Sequence, residues 1–306
     1  LIAPVLRSLK KRYPQAHIIL LCCQGAEKLS RDLKFADEVI GVEVPWTNWD
    51  WSLIKWIKAR SFARHFRKRD IDIAIDFKGD LRNSWFLWHV RSKMSLGYTD
   101  TGGSFFYTHP QPSPRGVHQT ERSLQLISHL GCDSIMLDEK EFNFKDQGAI
   151  VFHAGGNDPR RAWPENKWIK LAEILSKNHQ IAIVKTPETA TLIERMKERE
   201  FKVEIFDGDL VKFKNWLRNQ KMLIGNDSMP GHLAAYLGIP TISIFGSQDP
   251  KMTCPIGKWI TIIKPDESCE HKRNHWRLCQ KCMGTIDVER VSGAVIKLLS
   301  RVQAGE

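Results

Sequence analysis

The most constraining stretch of this chain is residues 222–250, where two short apolar runs at 222–225 and 241–245 flank a helix-compatible segment at 230–237. The runs have the composition of buried strands, so the stretch reads as a compressed strand, helix, strand unit. Such a unit leaves Asp227 and Ser228 just beyond the carboxyl end of a strand, where open α/β sheets bind ligands. The N–H groups that open the following helix can hold an anion there. A phosphate or a sugar hydroxyl fits this place. Asp227 either accepts hydrogen bonds from ligand hydroxyls or caps the helix. His232, within the first turn, is either a phosphate contact or a packing residue.

The same grammar appears at residues 149–165, where a strand is followed by a loop and by Pro164 at a helix start. Gly155 and Gly156 allow close approach to the main chain, and Arg160 and Arg161 add forked cationic donors suited to a diphosphate. Glu188, after the apolar run 181–184, stands where acidic residues of Rossmann-type sites reach ribose hydroxyls. The two loops together read as a nucleotide-sugar pocket.

These motifs extend to a family resemblance. His153-Ala-Gly-Gly, the run from Trp163 to Trp168, Asn226-Asp-Ser, His232-Leu-Ala-Ala and the run from Leu237 to Pro250 resemble glycosyltransferase family 9, the ADP-heptose:lipopolysaccharide heptosyltransferases. The likeness covers nearly the whole chain, with residues 4–16 similar to the family's first helix and 75–84 to a mid-domain strand and turn. It implies a GT-B fold, two Rossmann-like domains facing a cleft, here expected at 1–145 on the acceptor side and 146–306 on the donor side. It further implies ADP-heptose as donor, an anionic lipopolysaccharide-core acceptor, inversion at the anomeric carbon, and no metal or other cofactor. Arg161 then falls where a basic residue stabilises the departing diphosphate, and Gly155, Gly156, Arg160, Glu188, Asp227, Ser228, Met229 and His232 fall at the donor.

Two departures accompany the resemblance. The family carries a strand and a Gly-Asp pair before the proline matching Pro4, and that aspartate is its expected base. This chain begins at Leu1 and reads as truncated there, so the base is expected on the missing segment. Asp76, Asp80 and Asp100 read as turn formers or caps rather than as substitutes. The family also usually has Asp-Ser-Gly-Pro-Met-His where this chain has Asp227-Ser-Met-Pro-Gly-His232, with glycine and methionine exchanged. The alternatives are a glycosyltransferase with another nucleotide-sugar donor or acceptor, a nucleotide-sugar epimerase, or a non-catalytic nucleotide-binding protein.

Composition agrees with a globular enzyme. The 306 residues suffice for two domains with cores, at 42% hydrophobic content. No apolar run approaches the roughly 20 residues that span a bilayer. Seven scattered cysteines do not form a secreted disulfide framework, which points to a cytoplasmic setting. The net charge of +11 favours phosphorylated ligands or anionic membrane. Nucleic acid is disfavoured because no helix-turn-helix, RNP, KH or zinc-finger pattern accompanies the charge. The densest basic segment, 46–69, reads as a helix over 50–68 with Leu53, Trp56, Ala63 and Phe66 on one face and Lys55, Lys58 and Arg69 opposite. It is either a core-facing helix with a solvated basic face or a surface that meets anionic lipid at the inner membrane or the acceptor. Cys269, Cys279 and Cys282 are expected as reduced thiols in a tail loop. The alternative is a structural zinc held with one histidine, His271 or His275.

The remaining elements alternate as two wound sheets require. Helices are expected at 2–13, 117–130, 165–177, 188–200, 211–219 and 287–302. Strands are expected at 17–22, 38–42, 71–77, 149–153, 181–184 and 203–206, with a long polar loop at 97–115 and a linker at 142–148.

Overall fold

The computed structural model describes residues 1–46, 52–133, 146–156, 158–267, 269 and 279–305. Two compact units emerge, Ile2–Met136 and Leu137–Glu306. The linker expected at 142–148 lies outside the described residues as far as position 145.

The first unit opens with α1 (Ala3–Arg12), which has Pro4 in its first turn and Lys10, Lys11 and Arg12 in its last, each suited to its end of the helix dipole. Then come β1 (Ile19–Cys23), α2 (Gln24–Asp32), β2 (Glu38–Val42), α3 (Leu53–His65), β3 (Ile73–Ile75), α4 (Leu81–Val90), β4 (Met94–Tyr98), β5 (His109–Gln111) and α5 (Gln119–Ser128). β1 and β2 pair in parallel, and β3, β4 and β5 form a second parallel sheet.

The loop expected at 97–115 is corrected by this sheet. Residues 97 and 98 belong to β4, and β5 occupies 109–111. Gly97 is there for packing: a Cβ on it would stand 2.1 Å from the ring of Tyr107. The Tyr107 hydroxyl in turn donates to Asp76 at 2.8 Å. Pro110 is tolerated because β5 is an edge strand.

Asp76 and Asp80 take structural roles. Asp76 also accepts from the N–H groups of Lys78 and Gly79, at 3.0 and 3.1 Å, and Asp80 caps α4 by accepting from Arg82 N–H at 2.8 Å.

The helix expected at 50–68 is described from Leu53 onward, and of its expected inner face Trp56, Ala63 and Phe66 pack inward while Leu53 does not. Ala59, Ala63 and Phe66 are buried beside Trp46, Phe86 and Val90, but Leu53 is 73% exposed, with Ile54 and Ile57 also outward.

The second unit contains β6 (Ile150–His153), α6 (Glu165–Leu175), β7 (Ile181–Val184), α7 (Ala190–Glu198), β8 (Val203–Phe206), α8 (Leu210–Leu217), β9 (Met222–Asn226), α9 (Met229–Tyr236), β10 (Thr241–Ile244), α10 (Pro250–Thr253), β11 (Ile260–Ile263), α11 (Gln280–Gly284) and α12 (Val288–Ala304). Its six strands are parallel in the order β11-β10-β9-β6-β7-β8. The order reverses at β6, which pairs with β7 on one side and β9 on the other. That is the topological switch of a doubly wound sheet. Residues of β6, β7, β9 and β10 are buried throughout, as a sheet covered on both faces demands. α12 buries Val291, Val295, Leu298 and Val302 against α6 and β11 of the same unit.

Two glycines separate packing from conformational cost. A Cβ on Gly148 would stand 2.5 Å from both Asn219 O and Lys221 N, main-chain atoms that cannot swing aside. Gly293 lies exposed inside α12 with nothing within 4 Å. Gly148→Ala is expected to cost about 1–3 kcal/mol, whereas Gly293→Ala is expected to stabilise by about 0.5–1 kcal/mol. Urea denaturation of the two variants beside the parent checks both signs.

Candidate functional site

A cavity of about 760 Å³ opens over the carboxyl ends of β6, β7, β8 and β9. It straddles the switch between β6 and β9, which pair as far as His153 opposite Gly225. Beyond that point the two loops are held apart and in place by one side chain. Asn226, 1% exposed, donates from Nδ2 to Ala154 O at 2.8 Å and accepts at Oδ1 from Trp163 N–H at 3.1 Å. Such burial also rules out its use as a glycosylation acceptor.

Trp163 is anchored again by its indole N–H, which donates to Ile286 O at 3.0 Å, and by edge-on contact with Trp168. The 3-10 turn Pro159–Arg161 immediately before it is thereby positioned at the cavity.

Arg161 and Asp227 meet across the switch at 3.3 Å, Nη1 to Oδ2. Asp227 is 7% exposed, and burial pushes its carboxyl up while Arg161 pulls it down. It does not cap α9, contrary to one of the sequence alternatives. Ser228 holds the N-cap position, and its hydroxyl donates to Asn226 O at 3.1 Å rather than capping. Two buried nitrogens at the floor, Arg161 Nε and His153 Nδ1, have no hydrogen-bond partner among the described residues.

Of the residues expected at a donor, Gly156, Arg161, Glu188, Asp227, Ser228 and Met229 line this cavity. Gly155, Arg160 and His232 do not. Gly155 serves packing, since a Cβ would stand 2.4 Å from Thr186 Oγ1. Arg160 is drawn to the surface by Asp158, with contacts of 2.8 and 2.7 Å. His232 lies in the first turn of α9, half-buried.

Glu188 sits in the 3-10 turn after β7, and a hydrogen bond from Thr186, with main-chain N–H bonding, holds its carboxyl below the ordinary range. Met229 is the first residue of α9 and is 42% exposed at the rim. The exchanged glycine is not constrained, as a Cβ at Gly231 would meet Pro255 at an ordinary 3.4 Å.

The lining also includes Asp158, Lys185 and Thr186. Val184, Phe206, Leu210 and Phe213 form an apolar wall over β7, β8 and α8, and His153 forms the floor. Val184 and Phe206 end parallel strands and Leu210 opens the next helix, with Phe213 one turn further along it. The wall suits a planar base, Glu188 a ribose, and Arg161 with the opening of α9 a diphosphate.

The three thiols expected in a tail loop are brought together. Sγ atoms of Cys269, Cys279 and Cys282 lie within 4.8 Å of one another. His271 and His275 lie outside the described residues. No helix among the described residues is long and apolar enough to cross a membrane.

A sequence profile of glycosyltransferase family 9 (heptosyltransferase) matches residues 59–282. Lipopolysaccharide heptosyltransferase 1 of Pseudomonas aeruginosa is 26% identical over 239 residues, 72% of this chain and 66% of that protein. Lipopolysaccharide heptosyltransferase 3 of Escherichia coli K12 is 23% identical over 280 residues, 81% of this chain and 79% of its own length. Among solved structures, E. coli heptosyltransferase WaaC with ADP-2-deoxy-2-fluoro heptose superposes with a TM-score of 0.77 at 18% identity, over 96% of this chain and 94% of that one. The family 9 glycosyl transferase of Veillonella parvula DSM 2008 gives 0.78 at 18% identity, over 98% and 92%.

Burial lowers the imidazole of His153 to about 4, so it is neutral in the folded chain at pH 7. An unfolded histidine titrates near 6.5, so between the two values only the unfolded state takes up the proton. The contribution of the buried neutral ring is therefore complete above about pH 6.5 and is lost as pH falls toward 4, by about 3 kcal/mol in all. Denaturation of the parent and His153→Gln at pH 7.5 and 5 is expected to show a smaller acid loss in the variant.

Proposed function

This chain belongs to glycosyltransferase family 9 and is a glycosyltransferase of GT-B fold, and from that premise we propose that it transfers a heptosyl group from ADP-heptose to a lipopolysaccharide-core acceptor with inversion at the anomeric carbon. The proposed setting is the cytoplasmic face of the inner membrane. The observation that carries the donor half is the Arg161–Asp227 pair at the switch, with Arg161 Nε buried beside it and without a partner among the described residues.

In this reading the adenine lies against Phe206, Leu210 and Phe213, the ribose hydroxyls reach Glu188, and the diphosphate lies between Arg161 and the opening of α9. Asp227 and Ser228 face the sugar. As the bond from the anomeric carbon to the diphosphate lengthens, positive charge develops on the ring and negative charge on the departing oxygen. Arg161 stabilises the second, and the carboxylate of Asp227 offsets the first. The acceptor hydroxyl passes its proton to a general base as the new glycosidic bond forms. Asp76 and Asp80 are already engaged in the main chain around them and are not assigned that proton.

Arg161→Ala is expected to weaken ADP binding roughly 5- to 150-fold, as loss of a charge-assisted phosphate contact should. Arg160→Ala, at a residue held by Asp158 outside the cavity, is expected to leave it unchanged. Calorimetric titration with ADP, and with UDP and GDP as controls, measures both; preference for UDP or GDP would replace the proposed donor.

The acceptor half rests on α3. Leu53, Ile54 and Ile57 are exposed among Lys55, Lys58 and Arg60, a combination suited to an anionic lipid surface that carries the acceptor. Leu53→Asp/Ile57→Asp is expected to abolish co-sedimentation with phosphatidylglycerol-rich vesicles while ADP affinity stays at the parent value. Equal sedimentation of variant and parent would remove α3 from the acceptor side.

A further inference from the structure

Outside the cavity, the second unit builds another cluster of reactive groups. Cys269 follows β11, Cys279 stands at the N-cap of α11, and Cys282 lies inside that helix. Their sulfur atoms all fall within 4.8 Å of one another, Cys282 buried and the other two half-buried. None of the three is in a disulfide. Thiolates around a tetrahedral ion with metal–sulfur bonds of about 2.3 Å stand about 3.8 Å apart, so small side-chain rotations would suffice to seat one. Two of the sulfurs come from a C-x-x-C pair and the third from a separate segment, the arrangement by which a small thiolate knuckle clamps two pieces of chain.

We propose that Cys269, Cys279 and Cys282 are thiolate ligands of one thiophilic transition-metal ion, zinc or iron, which ties the segment after β11 to α11. Binding exchanges the thiol protons for the ion, and three sulfurs occupy three corners of a tetrahedron, leaving one for a further donor. The clamp has a structural consequence. Cys279 N–H donates to Ser247 Oγ at 2.9 Å, and Met283 packs against Gly246 so closely that a Cβ there would stand 2.8 Å from its sulfur. At the end of α11 and just past it, Gly284 O and Ile286 O accept from Lys167 Nζ at 2.6 and 2.7 Å, and Ile286 O also accepts from the Trp163 indole. α11 packs on the turn that carries Arg161. The ion thus holds the outer support of that turn without touching the cavity.

The test is elemental analysis of the full chain, purified under reducing conditions without chelator, followed by replacement of the bound ion with Co²⁺. About one equivalent of zinc or iron per chain is expected, the analysis itself deciding which. The cobalt form is expected to show sulfur-to-metal charge transfer and the visible bands of a tetrahedral thiolate site. Cys282→Ser and Cys279→Ser should each lower metal affinity at least about tenfold, whereas Cys132→Ser should retain it. The parent measurements stand alone if a variant fails to fold. Absence of stoichiometric metal together with no thiolate–cobalt band in a folded parent would overturn the proposal, as would a Cys279–Cys282 disulfide in place of the ion.

Discussion

The carboxamide of Asn226 is the fixed point on which the site depends. β6 and β9 are neighbours in the sheet, yet the chain leaves them in different directions, and a crevice at their ends needs something to hold both exits. Asn226 does this because an amide carries a donor and an acceptor on one rigid plane. One end takes the carbonyl of Ala154 and the other the N–H of Trp163. An aspartate in its place would lack the donor and leave a buried carbonyl unpaired. Arg161 stands two residues before Trp163 and Asp227 one residue after Asn226, so the same amide sets the position of both members of the ion pair.

That ion pair is a weak stabiliser on its own terms. Asp227 is buried but the Arg161 side chain is 41% exposed, so solvent screens the attraction from one side while the carboxylate still bears its desolvation cost, unless the remaining donors and acceptors are satisfied. Here they are not: Arg161 Nε is buried without a partner among the described residues, and burial raises the carboxyl of Asp227 against the pull of Arg161. An anionic ligand at the opening of α9 would supply the missing acceptor and relieve the strain in the balance. Burial likewise keeps the ring of His153 neutral, against the weaker pull of Glu188 toward the protonated form.

What was legible in the sequence follows from how each element is buried. β2, β7 and β8 are found at the bounds read from the chain, because short β-branched runs between turn formers have few other ways to fold. α2 escaped notice because only Leu29 of its apolar residues is buried, leaving no helical period to detect. α4 escaped for the opposite reason. Its Trp85, Phe86, Leu87 and Trp88 are apolar all round, and the period vanishes in a continuous run. Around α3 the expected inner face holds at Trp56, Ala63 and Phe66 and fails at Leu53, which points outward. Residue types alone do not say how far along the helix the rest of the chain covers that face.

The site was legible in kind, less so residue by residue. Adjacent arginines look equivalent in a sequence, yet Asp158 lies two residues before one of them and takes it to the surface, leaving Arg161 to turn inward. Adjacent glycines likewise divide, one packing under Thr186 and one facing the cavity. The exchange of glycine and methionine after Asp227 is resolved by the same local view. Pro230 fixes the start of α9 whichever residue precedes it, and the N–H of Gly231 already bonds Ser228 O at 3.2 Å. Gly231 occupies a place where a side chain would fit, so nothing there required a glycine. Met229 instead places a flexible thioether at the rim, in front of the helix opening. The substitution therefore alters how a ligand enters and how closely it approaches the first turn, while the frame set by Asn226 and the charge set by Arg161 and Asp227 stay as they are.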